Sequence, residues 1–149
     1  MTDLATTIRD AIPGDIATVI EMDADDTGLA KPDYWHGIFD RYVETRRPER
    51  YFLIAERAGT VIGFIVGEVR AWEFGSPPSG WVFAVHVAKD MREKSIGQLL
   101  LDQICQRFKA VGVDTVRTMI SRKDAVILSF FRGEGLTAGP YIQLEKHLE

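Results

Sequence analysis

The strongest structural signal in this sequence is the stretch Val85-His86-Val87-Ala88-Lys89-Asp90-Met91-Arg92-Glu93-Lys94-Ser95-Ile96-Gly97-Gln98-Leu99-Leu100. An apolar strand ends in a polar loop, and a helix with an apolar face follows. The first N–H groups of a helix lack intrahelical acceptors and carry partial positive charge, which favours an anion. Ser95 and Gly97 would let a phosphate approach the backbone, and Arg92 and Lys94 add charge. Such corners also use small residues for packing, so the corner alone leaves both interpretations open.

Periodicity on either side of this stretch predicts an α/β domain with a mixed sheet. The predicted elements in chain order are strand 7–11, helix 16–22, a helix opening at 31–33, strands 51–56, 61–72 and 81–87, helix 96–110, strand 115–121, helix 125–132, and one or two closing strands within 136–148. Asp15 and Asp124 are predicted N-caps, and Asp23 to Gly28 a polar loop. The apolar strand 81–87 is typical of one buried on both faces, and strand–helix–strand implies a parallel crossover.

Composition restricts the class of protein. The 149 residues are 46% hydrophobic and 27% charged, as expected for a single folded domain spanning 1–149 and not for a disordered or disulfide-dense chain. No apolar run approaches the roughly 18 residues of a membrane span, and Met1 to Thr7 lack the pattern of a signal peptide. Cys105 is the single cysteine, and no Cys/His cluster has metal spacing. We therefore expect a cytoplasmic protein without a structural metal.

Charge is unevenly distributed along the chain. Residues 1–91 carry 15 acidic and 9 basic side chains, and residues 92–149 carry 7 and 9, for a net charge of −4. This acidic balance argues against nucleic-acid binding. The asymmetry favours an anion near the second part and a cation near the first, although solvated helix faces would give the same counts.

Several motifs in chain order resemble the GNAT superfamily of N-acetyltransferases. The run 92–100 is similar to the family signature Arg/Gln-x-x-Gly-x-Gly/Ala, which is followed by two leucines, and residues 125–136 resemble the family's helix ending in Phe-Tyr-x-x-x-Gly-Phe. The opening 9–15 and the closing 143–146 also fit. The resemblance implies a central six- to seven-stranded mixed sheet flanked by about four helices. It also implies transfer of an acetyl group from acetyl-CoA to a primary amine by direct attack in a ternary complex.

The resemblance implies a set of cofactor-binding residues: Val85, His86, Val87, Arg92, Glu93, Lys94, Ser95, Ile96, Gly97, Gln98, Asp124 and Phe131. Four positions depart from the family pattern. Ser95 replaces a glycine, Lys89 a proline and Asp124 an asparagine, and Phe131 replaces the tyrosine that many members use to protonate the departing thiolate. A non-catalytic acyl-CoA-binding or sensor domain on the same fold is therefore an alternative. An α/β domain binding another phosphate ligand, such as a nucleotide, is a second one.

Two residues are candidates for the base that deprotonates the amine. His86 flanks the strand expected to hold the thioester, and histidine titrates near neutral pH. Glu68 stands among apolar residues, where burial would raise its pKa. The alternatives are a core histidine on the far side of the sheet and a Glu68 paired with Arg70 or facing solvent.

The acceptor side is expected near the first two helices. Acidic and aromatic residues accumulate there, a composition that suits a cationic amine: Asp23, Asp25, Asp26, Asp33 and Asp40, with Tyr34, Trp35 and Tyr42. A packed apolar stripe with a solvated acidic edge explains most of them equally well. The acceptor is thus a small-molecule or peptide amine, with neither nucleic acid nor membrane as partner, and the resemblance is compatible with a homodimer.

Overall fold

The computed structural model describes residues 5–149, apart from the side chains of Glu93 and Lys94. Residues 1–4, within the segment from Met1 to Thr7 that lacks the signal-peptide pattern, lie outside this range. The strands and helices of the described residues are β1 Thr6–Asp10, α1 Ile16–Thr27, α2 Pro32–Phe39, β2 Arg50–Arg57, β3 Thr60–Arg70, β4 Ser79–Val87, α3 Ile96–Ala110, β5 Val116–Thr118 and α4 Ala125–Gly133. A π-helical turn, Asp40–Glu44, extends α2, and a 3-10 turn, Lys89–Lys94, precedes α3.

Within the described residues the sheet has five strands in the order β1-β2-β3-β4-β5. The first three pairings are antiparallel, and β4 and β5 run parallel across α3, which confirms the predicted crossover. The prediction of six to seven strands is wrong here, because no residue from 136 to 149 forms a strand. Proline at 140 removes one ladder donor, and Ile142 and Leu144 are both 84% exposed, so this segment has no ladder to support a strand.

One face of the sheet packs against α1 and α2. Trp35, Ile38, Phe39 and Tyr42 lie on one side of α2 and its π-helical extension, as their spacing predicts, and all four are buried. Trp35 meets the ring of Phe64 on β3 edge-on, with 5.4 Å between centroids. Burial of each such side chain contributes about 1.5–3 kcal/mol, so this core fixes α2 on the sheet.

The opposite face carries α3, which three glycines allow to approach closely. A Cβ on Gly63 would lie 3.2 Å from Leu100, and one on Gly67 would lie 2.9 Å from Ile104. A Cβ on Gly80 would overlap the Phe108 ring. The missing side chains therefore form a groove for the helix, and α3 has the predicted bounds, residues 96–110.

The first helix begins at Ile16, as predicted, but its N-cap residue makes no cap and the helix is longer than predicted. Asp15 occupies the N-cap position but makes no side-chain cap. It instead accepts 2.8 and 2.9 Å hydrogen bonds from the Arg9 guanidinium, which also contacts Glu56. At the other end the predicted polar loop is the last turn of α1, because the Asp23 side chain is buried and has partners. The helix ends at Gly28 in a left-handed conformation.

The strand β4 is less buried than its apolar sequence predicts. It lies between β3 and β5, but β5 pairs only with Gly80, Trp81 and Val82. The residues after Val82 are half-buried or exposed, Phe83 among them. The correction has a simple cause, since β5 ends at Thr118 and no other described strand continues along this edge.

Contacts divide the chain into two compact units, one ending at Met119 and one comprising Ile120–Glu149. The second unit contains α4, whose N-cap Asp124 accepts a hydrogen bond from the Ile127 N–H at 3.0 Å, as predicted. Phe131 on this helix is buried. The single domain spanning 1–149 stays a prediction. No helix in residues 5–149 is long and apolar enough to cross a membrane.

Candidate active site

The backbone of β4 has an open edge over its second half. Pairing with β5 stops at Val82, whose carbonyl accepts a 2.7 Å hydrogen bond from the Thr118 hydroxyl. The Ala88 N–H donates to the Ile62 carbonyl on the β3 side at 2.8 Å. Because backbone groups alternate in direction along an antiparallel strand, those of Val85 and Val87 point away from β3. An extended ligand chain could bind along this edge, where the Val87 carbonyl already accepts a 3.3 Å hydrogen bond from Arg92 Nε.

The loop after β4 leads into the first turn of α3, where the sequence predicts an anion site. Ser95 has φ 59° and ψ 24°, the left-handed conformation normally taken by glycine, and its side chain does not cap the helix. The Leu99 N–H bonds to the Ser95 carbonyl. The preceding amides of Ile96, Gly97 and Gln98 belong to the first turn, whose N–H groups have no intrahelical acceptor. The backbone therefore has the form that phosphate binding requires, with serine in the glycine position.

His86 projects from the face of β4 that packs against α1, and stands between two carboxylates. Nε2 lies 3.5 Å from Asp23 Oδ1, and Nδ1 lies 3.6 Å from Asp26 Oδ2. The ring stacks on Phe64 with 5.0 Å between centroids. Asp23 and Asp26 are three residues apart on α1, so a helical turn presents both to the imidazole. This side chain lies on the face of the sheet that carries α1 and α2, where the acceptor is predicted, and not on the face that carries α3.

Burial and charge act in opposite directions on this imidazole. Burial lowers the pKa of His86, while Asp26 and Asp23 raise it and Lys31 and Arg92 lower it; the resulting pKa is below the ordinary 6.5. His86 is therefore mainly neutral at pH 7. A neutral imidazole with two carboxylates nearby can accept a proton and be stabilised once charged.

Two cavities meet at His86. The first, about 250 Å³, opens towards α2 and is lined by Asp23, Lys31, Tyr34, Trp35, Phe83, Ala84 and His86. The second, about 320 Å³, opens towards the loop after β4 and includes Asp26, Val87, Lys89 and Arg92. Arg92 connects β4 with α1, since it donates to the Val87 carbonyl at 3.3 Å and to Asp26 Oδ1 at 3.2 Å. The imidazole thus lies between the cavity near α2 and the cavity beside the loop that follows β4.

Glu68, the second candidate base, is held by arginines. Its Oε1 accepts a 3.2 Å hydrogen bond from Arg70 Nε, and its Oε2 lies 3.7 Å from Arg50 Nε. Glu68 also raises the pKa of the Tyr42 phenol, on which burial acts more strongly. Glu68 borders neither cavity. These contacts agree with the alternative in which Glu68 is ion-paired, and they do not favour Glu68 as the base.

Comparison with known proteins identifies the family. A model of the acetyltransferase (GNAT) family matches residues 16–132. The chain belongs to the GNAT family. Its enzyme class is therefore that of a GNAT N-acetyltransferase, whose family uses acyl-CoA. No curated protein matches the sequence.

Solved structures share the GNAT fold at low sequence identity. An aminoglycoside N-acetyltransferase AAC(6')-Iy in complex with CoA superposes with a TM-score of 0.85 at 12% identity, over 98% of this chain and 97% of that one. The aminoglycoside 6'-N-acetyltransferase AAC(6')-IG from Acinetobacter haemolyticus gives 0.80 at 12% identity, over 96% and 99%. A transcriptional regulator from Bacillus halodurans C-125 gives 0.80 at 19% identity, over 97% and 100%. These similarities establish the fold alone.

The GNAT chain brings together most, but not all, of the residues predicted from sequence. Val85 to Val87, Arg92 and Ser95 to Gln98 form one continuous run of strand, loop and helix start. The side chains of Glu93 and Lys94 lie outside the described parts. Asp124 and Phe131 belong to the second unit, where Asp124 caps α4. Their contact with cofactor stays a prediction.

Sequence reasoning missed three features of the site. Lys31 was interpreted only as part of a helix opening, yet its ammonium lies 3.0 Å from Asp23 Oδ2. The bulge that inserts Phe83 between the partners of Val66 and Gly67 left no sequence signal. The pairing of Asp23 with Trp35 Nε1, at 3.0 Å, was also missed, although an acid eight residues before a lysine–proline helix start was a usable clue.

Proposed function

We propose that this chain transfers the acetyl group of acetyl-CoA to a cationic primary amine by direct attack in a ternary complex. One observation supports the proposal: the strand β4 has an unpaired backbone edge and also carries His86, which borders both cavities. Its open backbone edge beyond Val82 suits the extended arm of the donor, and His86 on its helical face borders the cavity for the amine. Donor and acceptor would therefore meet across a single strand.

The donor side rests on backbone groups. Val85 and Val87 would bind the pantetheine arm as an added strand binds a sheet edge. The first-turn amides from Ile96 to Gln98 would hold the pyrophosphate, with the partial positive charge of the helix end. Arg92 already lies at this loop and supplies a guanidinium suited to phosphate. The main-chain conformation of Ser95 supports this fit.

The acceptor side rests on charge and shape. Asp23 and Asp26 place carboxylates on either side of His86, where a cationic substrate would compete with Lys31 and Arg92 for them, and Tyr34 and Phe83 line the first cavity. Such a site favours a protonated amine over a neutral or anionic compound. Several structures of the same fold are aminoglycoside acetyltransferases, which act on polycationic amines, and this agrees with the charge.

The chemistry requires a neutral amine. His86 would accept the proton from the bound ammonium, and the nearby carboxylates would stabilise the imidazolium. The amine lone pair would then attack the thioester carbonyl, with rate enhancement coming mainly from orientation and from backbone donors. The departing thiolate would take its proton from water.

Ligand-dependent thermal unfolding is the first test. Acetyl-CoA or CoA at about 100 times its dissociation constant should stabilise the protein by about 2.7 kcal/mol, and ATP should not. Gly97→Trp should abolish this shift, because an indole there would block the pyrophosphate. Gln106→Trp, on an exposed position of the same helix, is the matched control.

Turnover is measured next as release of CoA thiol with a panel of primary amines. Faster release with polycationic amines than with neutral ones supports the acceptor class. Binding of acetyl-CoA without release of thiol for any amine would favour the alternative of a non-catalytic sensor domain. The presence of Phe131 in place of the family's tyrosine is the residue change that suggests this alternative. Equal stabilisation by ATP would favour a nucleotide site and refute the proposal.

A further inference from the structure

The first cavity, which the proposed function assigns to the acceptor amine, is lined by a primary amine of the chain itself. Lys31 is the N-cap residue of α2, and its side chain lines the 250 Å³ cavity together with Phe83 and Ala84 of β4. Its Nζ lies 3.0 Å from Asp23 Oδ2. The other oxygen of that carboxylate faces His86 Nε2 at 3.5 Å. One carboxylate thus joins the lysine ammonium to the proposed base.

The carboxylate is well fixed and the lysine is accessible. The Asp23 side chain is 4% exposed, and Trp35 Nε1 donates a 3.0 Å hydrogen bond to the oxygen that Lys31 contacts. Trp35 is itself buried in the core of α2, so this oxygen cannot shift easily. The Lys31 side chain is 36% exposed, so reagents in solution can reach it. Lys31 therefore has the position and the chemistry of a bound acceptor.

We propose that Lys31 is an intramolecular acetyl acceptor, so that the chain acetylates its own Nζ when no amine substrate is present. The proposal rests on the function proposed above. The ammonium of Lys31 gives a proton to the Asp23 carboxylate, which passes it to His86 through its other oxygen, and the neutral Nζ attacks the carbonyl carbon of acetyl-CoA. The C–N bond forms, the C–S bond breaks, and the sulfur leaves with the electron pair and is protonated. The products are acetyl-Lys31, CoA thiol and one proton.

Self-acetylation would change the site for the next acceptor. An acetylated Nζ carries no charge and no longer forms an ion pair with Asp23. The carboxylate is then available to a cationic substrate. The positive charge of Lys31 also lowers the pKa of His86, so its removal moves that pKa upward. Acetyl-Lys31 would thus mark a form of the protein with a stronger base and an open acceptor site.

The test is the mass of the full chain after incubation with acetyl-CoA and no amine. We expect the addition of one acetyl group, mapped by peptide mass spectrometry to Lys31, at a rate that does not change on dilution of the protein. Lys31→Arg should abolish the addition. His86→Asn should slow it by about 100-fold or more, the usual contribution of a general base. Lys109, exposed at the end of α3, is the reference for uncatalysed acetylation.

Several outcomes would overturn the inference. Lys31 modified no faster than Lys109, or equally fast in His86→Asn, would show an uncatalysed reaction. Turnover of an added amine with Lys31 unmodified would refute self-acetylation and leave the proposed function intact. Absence of both acetyl-CoA binding and turnover would refute both proposals.

A second measurement needs no acetyl-CoA. Lys31→Gln imitates the acetylated side chain, and NMR titration of the His86 ring should give a higher pKa than in the parent protein. Lys109→Gln, which also removes one positive charge, should leave the His86 pKa unchanged. An unchanged His86 pKa in Lys31→Gln would contradict the proposed coupling.

Discussion

The contact between Gly80 and Phe108 gives a prediction whose magnitude follows from the structure. In Gly80→Ala the added Cβ would lie 2.6 Å from Phe108 Cγ and closer still to two further ring atoms. Phe108 is 2% exposed and is backed by Tyr51, with 5.6 Å between ring centroids, so the ring cannot move away. Overpacking of this kind costs about 1–3 kcal/mol, and we expect the upper end because the obstacle is a buried ring.

Thermal unfolding measures this cost directly. For a chain of this length 1 kcal/mol corresponds to about 2–4 °C, so Gly80→Ala should lower Tm by about 6–12 °C. The matched control is Gly37→Ala in α2, where a Cβ meets nothing within 4 Å. There alanine should raise stability by about 0.5–1 kcal/mol, as a glycine inside a helix is costly. An unchanged Tm in Gly80→Ala would refute the claim that this glycine makes room for α3.

Three further predictions concern the site and its supports. Ser95→Gly should raise the free energy of unfolding by about 0.5–1 kcal/mol, measured in urea, because it removes left-handed strain from a residue with a side chain; a loss of stability would contradict the φ assigned to Ser95. The kcat/KM for amine acetylation should fall only below pH 6.5, since the lowered pKa keeps His86 neutral down to more acidic pH, and His86→Asn should abolish this limb; an unchanged pH profile would exclude His86 as base. Asp15→Asn should cost about 1.5–3 kcal/mol at pH 7, the range for hydrogen bonds to charged groups. Burial raises the pKa of Asp15, but hydrogen bonds from Arg9 and the Ile12 N–H outweigh burial, so the pKa is lowered. The parent protein therefore loses this stability as the pH falls below about 3.8. In acid the free energies of unfolding of the parent and of Asp15→Asn should become equal.

The parts of the fold that sequence could predict are those encoded locally. The bounds of α3 follow from a period of three to four apolar residues, and the N-cap at Asp124 follows from an acidic residue before an apolar helix. The buried stripe that includes Trp35 follows from the same periodicity. In each case the residues that form the pattern also make the contacts.

The rest depends on partners distant in sequence. Asp23 looks like a loop residue until Trp35 and Lys31 are known to satisfy its carboxylate, which is what permits α1 to continue through it. The prediction of closing strands is wrong because these residues have no such partner. An alternating pattern such as Ile142 and Leu144 forms a strand only where a neighbouring strand supplies hydrogen bonds. Placement of His86 between two acids likewise required the packing of α1 on β4.

The ion-paired start of α1 has a mechanical consequence for the site. Arg9 clamps Asp15 immediately before the helix, and the carboxylates beside His86 lie two to three turns further on, about 15 Å along the axis to Asp26. A helix of this length moves as a rigid body, so a small tilt at the Arg9–Asp15 ion pair produces a larger displacement at the C-terminal end of the helix. Substitutions around Arg9 would therefore displace Asp26 more than Asp23, which the buried Trp35 holds, and would change the surroundings of His86 from a place that touches neither reactant.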